Sequence, residues 1–381
     1  MIPFNRPHLT GQEFAYIQQA VAAGQLAGNG QFTRRCQHWL EERLGAPRAL
    51  LTHSCTAALE LAALLLDLQP GDEVIMPSYT FVSTANAIVL RGARPVFVDI
   101  RPDTLNIDER LVEAAITRHT RAIVAVHYAG VACEMDAIAA IARRHNLSVI
   151  EDAAQGLLSS YKGRPVGALG QLAAISFHET KNVISGEGGA LIINDPQLAE
   201  RAEILWEKGT DRSKFLRGMV DKYTWVDVGS SFLPGELTAA FLWAQMEEAD
   251  QITAERLALW QRYDSACAAL TRFGLRGPHV PADRAHNAHL FYQILPAQLS
   301  RADLLADLNG RGVNAVFHYV PLHSSPAGRR FGRTSGPMTE TDEYSRRLIR
   351  LPLWVGMGID AVDRVVDGLT AVVQSFVSIS R

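Results

Sequence analysis

Lysine is nearly missing from this chain. Of its 37 basic residues only five are lysine, at positions 162, 181, 208, 214 and 222, so arginine carries almost all the positive charge. A guanidinium is not deprotonated in proteins, whereas an amine gives up its proton when buried. A lysine kept beside a buried strand is therefore a candidate for chemistry, and Lys181, a few residues past the apolar run of "AAISFHETKN" (173–182), fits that description. Cysteine is also sparse. Cys36, Cys55, Cys133 and Cys267 are widely spaced with no CxxC pair, which gives no basis for a disulfide framework or a zinc site. No run approaches the roughly 20 apolar residues of a membrane span, and "MIPFNRPHLTGQEF" has no charged-then-apolar leader, so the expected location is the cytoplasm, with no membrane partner. A dominant charge sign is lacking too. The net charge of -3 gives no general attraction to nucleic acid, so a phosphate-bearing ligand needs a local site.

What is present is an ordinary globular composition, 48% apolar and 20% charged over 381 residues, long enough for two domains. Between residues 48 and 195 the runs "RALLT", "DEVIMP", "RPVFVDI", "RAIVAVHY", "LSVIEDA", "LAAISF" and "GALIIN" alternate with helical patterns such as "TAALELAALLLDL". That alternation predicts an α/β fold with a mostly parallel, seven-stranded sheet covered by helices on both faces. Past residue 236 the pattern changes to one long helix from Leu237 to about Leu270, strands in "AHLFYQILP" and "VNAVFHYV", the helix "RADLLADLNGRG" between them and a closing helix over 360–376. The expected division is a large domain over 1–245 and a smaller α+β domain over 246–381.

Three places in the large domain stand out. In "LLTHSCTAALELAALL" a strand turns into a helix with Ser54 as N-cap, and the helix start offers the amides of Cys55 and Thr56 to an anion; a plain capped helix is the bland alternative. "LSVIEDAAQ" carries a strand into Asp152, at the carboxyl end where open α/β sheets bind ligands; a simple N-cap is an equal reading there. "ISFHETKN" ends another strand near Ser176 and Lys181, and a solvated surface lysine is its bland reading. "GNG" at 28–30 follows no convincing strand and makes a poor dinucleotide loop. Taken together, an anion-binding helix start, a carboxylate and a lysine suit a ligand with a phosphate, a protonated ring nitrogen and an aldehyde, which describes pyridoxal 5'-phosphate.

The segments "HSCTAAL", "PGDEVIMPSYTFVSTANA", "PVFVDI", "HYAG", "EDAAQ", "SFHETKN" with "GEGG", "HYVPLH" and "LPLWVGM" resemble the DegT/DnrJ/EryC1/StrS sugar-nucleotide aminotransferases over essentially the whole chain. The resemblance implies a fold-type I transferase that works as a homodimer or higher homo-oligomer. It implies Lys181 in covalent attachment to the cofactor aldehyde and in proton transfer, Asp152 on the ring nitrogen and Gln155 on the ring hydroxyl. It further implies Cys55, Thr56 and Ser176 on the phosphate and Phe81 stacked on the ring. Where most of the family has a "GYNYRM" loop whose Asn reaches the neighbouring subunit's phosphate, this chain reads "GSSFLP", with Ser231 at the matching place. The implied reaction is transfer of the amine of L-glutamate to dTDP-4-keto-6-deoxyglucose. Amination at another keto position, a UDP-linked sugar, and a regulator that binds nucleotide sugar without chemistry stay open as alternatives. Family dehydratases carry histidine in place of the lysine, which argues against them here. The substrate-side candidates are Tyr319 of "HYVPLH" and Lys214, Arg217 and Lys222 of "EKGTDRSKFLRGMVDKYTW", a cation-rich stretch expected at the mouth of the site.

Overall fold

The computed structural model describes residues 1–379. All seven anticipated strands form, and they lie in one eight-stranded sheet in the order 48–52, 189–193, 172–176, 148–152, 120–126, 73–77, 94–98 and 333–334. The strand Gly189–Ile193 runs antiparallel to both neighbours and the other pairings are parallel. The eighth member, Arg333–Thr334, is a two-residue edge strand from the C-terminal part of the chain. Helices cover both faces, so successive strand residues enter different cores: Ile75, Ile123, Val149 and Ile175 on one side, Met76, Val124, Ile150 and Leu191 on the other.

A third core gathers Leu259, Tyr263, Phe291, Leu304, Ile349 and the apolar stripe Val362, Val365, Leu369 and Val373 of the closing helix Ile359–Ile379. Two sequence expectations change here. The long helix is broken at Glu248 into Glu236–Glu247 and Ala249–Cys267. The first half packs on the N-terminal helices Glu13–Ala22 and Gln31–Leu44, and the second on the closing helix. "VNAVFHYV" is not a strand. Val313 bridges Ile2 and Val316 bridges Arg350 in isolation, and the Phe317 carbonyl accepts from the Arg350 guanidinium instead of a ladder amide. A strand that the pattern did not announce, Leu348–Leu351, pairs with Phe291–Ile294.

The "GNG" segment wraps a carboxylate. Glu236 accepts from the amides of Gly30 and Phe32 at 2.9 Å each, and a Cβ on Gly30 would lie 2.4 Å from the Glu236 carboxyl carbon, so only glycine fits.

Candidate active site

The carboxyl ends of strands 120–126, 148–152 and 172–176 open into a cavity of about 710 Å³ whose wall includes Cys55, Thr56, Phe81, Asp152, Gln155, Ser176, Lys181 and Tyr319. Ser54 caps the helix Cys55–Leu65, accepting from Ala57 N at 3.0 Å. The amides of Cys55 and Thr56 meet no acceptor among the described residues, so two donors at a helix start face the cavity without a partner. Hydroxyls surround them. Thr56 Oγ1 lies 2.7 Å from Ser83 Oγ, and Ser176 ends its strand on the same wall. The strand approaches closely because Gly189 has no side chain; a Cβ there would sit 2.5 Å from the Cys55 nitrogen.

Glu151 and Asp152 are adjacent, so the strand sends them to opposite faces of the sheet. Glu151, fully buried, accepts from the amides of Gly167, Leu169 and Gly170 and pairs with His127 Nε2 at 2.9 Å. Asp152 faces the cavity at 5% exposure. Its Oδ2 accepts from Thr84 Oγ1 at 2.7 Å and its Oδ1 from Ala154 N at 3.2 Å, and Thr84 is itself 2.8 Å from Thr80 Oγ1. Those contacts come from neutral donors and leave the carboxylate without a cationic partner among the described residues. Thr84→Val, which keeps the shape and loses the donor, is expected to weaken retention of a cofactor that pairs with Asp152 by about tenfold, as one hydrogen bond to a charged group is worth ~1.5–3 kcal/mol. Thr84→Ser restores it. Equilibrium dialysis of both variants checks this, and unchanged retention in the valine variant would remove Thr84 from the account.

Lys181 sits in a tight loop after the strand 172–176. Its amide donates to His178 O at 2.8 Å, and the loop is braced by Phe177 N to Gly188 O and Ser185 N to Phe177 O. Its Nζ makes no hydrogen bond or ion pair among the described residues. Desolvation pushes its pKa down, partly opposed by Cys55 and Asp152 and reinforced by Arg350. A buried amine with a depressed pKa is a nucleophile and proton carrier near neutrality.

Gln155 is held at both ends, with Oε1 accepting from Ala129 N and Nε2 donating to Tyr319 OH, each at 2.7 Å. Tyr319 stacks on His318 at 3.8 Å between centroids. Phe81, 57% exposed, presents its ring at the cavity rim, 6.5 Å from Tyr319. The remaining candidates lie elsewhere in the chain. Lys214 pairs with Glu200 and Arg217 with Glu203, each at 2.5 Å, Lys222 and Ser231 are exposed, and none of the four lines this chain's cavity. Thr84, Arg256, His289 and Arg350 belong to the site's surroundings but carried no local signal, since each acts across a long separation in sequence.

The residues fit the expected cofactor. Two partnerless amides with hydroxyls suit its phosphate, Asp152 its ring nitrogen and the unpaired Lys181 amine its aldehyde. Comparison with known proteins points the same way. Residues 7–370 match the model of the DegT/DnrJ/EryC1/StrS aminotransferase family. The chain is 34% identical to the spore coat polysaccharide biosynthesis protein SpsC of Bacillus subtilis (strain 168), covering 98% of this chain and 97% of that protein. Among solved structures it resembles the aminotransferase TlmJ from Streptoalloteichus hindustanus, with a TM-score of 0.90, 30% identity and coverage of 99% and 100% of the two chains. An aminotransferase from Psychrobacter cryohalolentis matches with a TM-score of 0.90 and 28% identity over 98% of this chain and 100% of that one.

Proposed function

Because the chain belongs to the DegT/DnrJ/EryC1/StrS aminotransferase family, we propose that it moves the amine of L-glutamate to the 4-keto carbon of dTDP-4-keto-6-deoxy-D-glucose, giving dTDP-4-amino-4,6-dideoxy-D-galactose. It is a sugar aminotransferase that uses pyridoxal phosphate. The observation that carries the site assignment is the meeting of the Lys181 amine, the Asp152 carboxylate and the free amides of Cys55 and Thr56 on one cavity wall. The finer substrate rests on resemblance: "FTRRCQ", "VACEMD", "HETKN", "VDKYTW" and "GSS" are similar to the transaminase that makes this amino sugar for the enterobacterial common antigen.

When bound, pyridoxal phosphate supplies an aldehyde to carry the amine and a ring that takes up an electron pair. The chain's residues do the rest. Lys181 Nζ would hold the cofactor through its aldehyde and would carry the proton to and from the reacting carbon. Asp152 would favour a protonated ring nitrogen through the opposite-charge effect. Gln155, fixed by Ala129 and Tyr319, would hold the ring hydroxyl, and Phe81 at the cavity rim would pack on the ring.

The segment 212–228 supports a homodimer in this reading. It exposes Phe215, Leu216, Met219, Tyr223 and Trp225, an apolar surface that calls for a cover, and a second copy would bring Ser231 and Lys222 to its neighbour's cavity. Neutralising Lys214, Arg217 and Lys222 one at a time is expected to raise KM for the nucleotide sugar several-fold with kcat and KM for glutamate little changed, because a phosphate contact is felt by ground state and transition state alike. Lys222, which has no carboxylate partner among the described residues, should show the largest effect; flat KM values in all three would place the diphosphate elsewhere. The substrate assignment is tested with glutamate and a panel of dTDP-4-keto, dTDP-3-keto and UDP-4-keto sugars. The dTDP-4-keto sugar should give the highest kcat/KM, and a different preference would replace it.

A further inference from the structure

We infer that Arg350, which lines the cavity together with Arg256, forms a carboxylate subsite for the amino donor. The inference rests on the aminotransferase reading above and deepens its substrate side.

Both guanidinium groups line the cavity, and neither pairs with an acidic side chain among the described residues. Arg256, 3% exposed, donates from Nε to Ala288 O at 3.1 Å and from Nη2 to His289 O at 2.7 Å. Arg350 donates from Nε and Nη2 to Phe317 O at 3.2 and 3.0 Å, and its guanidinium carbon lies 4.7 Å from the centre of the Phe4 ring. Among the described residues each group thus keeps Nη1 without an acceptor, held in place by carbonyls and, for Arg350, by an aromatic face. By contrast, two other sheltered arginines have a carboxylate: Arg284 has Glu134 at 2.7 Å and Arg333 has Glu73 at 2.6 Å. Two guanidinium groups without an acidic partner on one cavity wall suit an anion that enters it.

The neighbouring groups report the same field. Burial lowers the pKa of His289 and His318, and Arg350 pushes both further down; it acts in the same sense on Lys181. Neither acid on the cavity wall forms an ion pair with these arginines among the described residues: Asp152 accepts from Thr84 and Ala154, and the exposed Glu187 lies 3.6 Å from His178.

Two anions arrive in the proposed reaction, and chemistry separates them. The α-carboxylate of glutamate is one bond from the carbon that carries the amine, so it must lie close to Lys181 when the proton moves. In a nucleotide sugar the diphosphate hangs from C1, across the ring from the keto carbon C4, and points away from the reacting centre. A cation on the cavity wall near enough to bias the Lys181 amine is therefore placed for the donor's carboxylate. A bidentate guanidinium–carboxylate pair is the geometry Arg provides and Lys does not.

The test uses the holoenzyme and Arg350→Gln, with Arg350→Lys as the charge-conserving control. Binding of glutarate, an unreactive dicarboxylate, is measured by calorimetry, and the two half-reactions are followed separately by the cofactor's absorbance. Losing a charged hydrogen bond should weaken glutarate binding and raise the half-saturating glutamate concentration by about 10- to 100-fold in the glutamine variant. Lysine should recover part of that, and the keto-sugar half-reaction should change less than threefold. Unchanged glutarate and glutamate binding overturns the inference while leaving the aminotransferase reading intact, and so does a defect confined to the keto-sugar arm, which would assign the arginines to the diphosphate. If no keto sugar is aminated but glutarate binding still depends on Arg350, the substrate reading fails and the subsite stands.

Discussion

Replacing Lys181 with alanine is expected to stop turnover without harming the fold. The Nζ makes no hydrogen bond or ion pair among the described residues, so its removal orphans no partner. General acid–base groups are worth about 10²- to 10⁴-fold, and in the proposed reaction this one would also hold the cofactor, so the loss should be at least of that order. Stability gives an independent sign. Burial depresses the Lys181 pKa, so below the unfolded value of about 10.4 folding must discharge the amine or bury it charged, and either costs free energy that vanishes only as pH rises through that value. The cofactor-free alanine variant should therefore melt at pH 7 no lower than the parent. Near-normal turnover, or a large fall in Tm, would contradict the role given to this residue.

Asp152→Asn should keep the fold and much of the bound cofactor, yet lose most activity. Asparagine retains an oxygen for the Thr84 hydroxyl or the Ala154 amide, and the phosphate cradle at Cys55 and Thr56 is untouched. What goes is the charge opposite the ring nitrogen. A carboxylate beside a cation typically shifts the pair by 1–3 pKa units, so its removal should cut the protonated fraction, and the rate that depends on it, by about 10- to 1,000-fold. Cofactor content is measured beside the rate; an active variant, or an empty one, would count against the assignment.

Much of this site was legible because its parts obey local rules. Asp152 and Lys181 follow short apolar runs that read as strands and form them, and the scarcity of lysine made Lys181 conspicuous. Ser54 reads as a cap from its place before "CTAALELAALL", and it is one. What the sequence hid depends on contacts between distant segments. Thr84 meets Asp152 across 68 residues, and nothing near either position announces the bond. Arg350 looks like one more arginine among many until the fold leaves it without a carboxylate among the described residues. "VNAVFHYV" has the composition of a strand, but its backbone is used by Ile2 and Arg350, and His318 and Tyr319 are turned to the cavity. The break at Glu248 is equally nonlocal, since each half of the expected helix has its own partner to pack on.

The most direct measurement is to reduce the holoenzyme with borohydride, digest it and locate the cofactor by mass spectrometry. The account predicts that the absorbance band of the bound cofactor shifts and that the pyridoxyl phosphate increment sits on the peptide carrying Lys181, with none on Lys162, Lys208, Lys214 or Lys222. An increment on another lysine, or a purified protein supplied with pyridoxal phosphate that shows neither band nor increment, would contradict it.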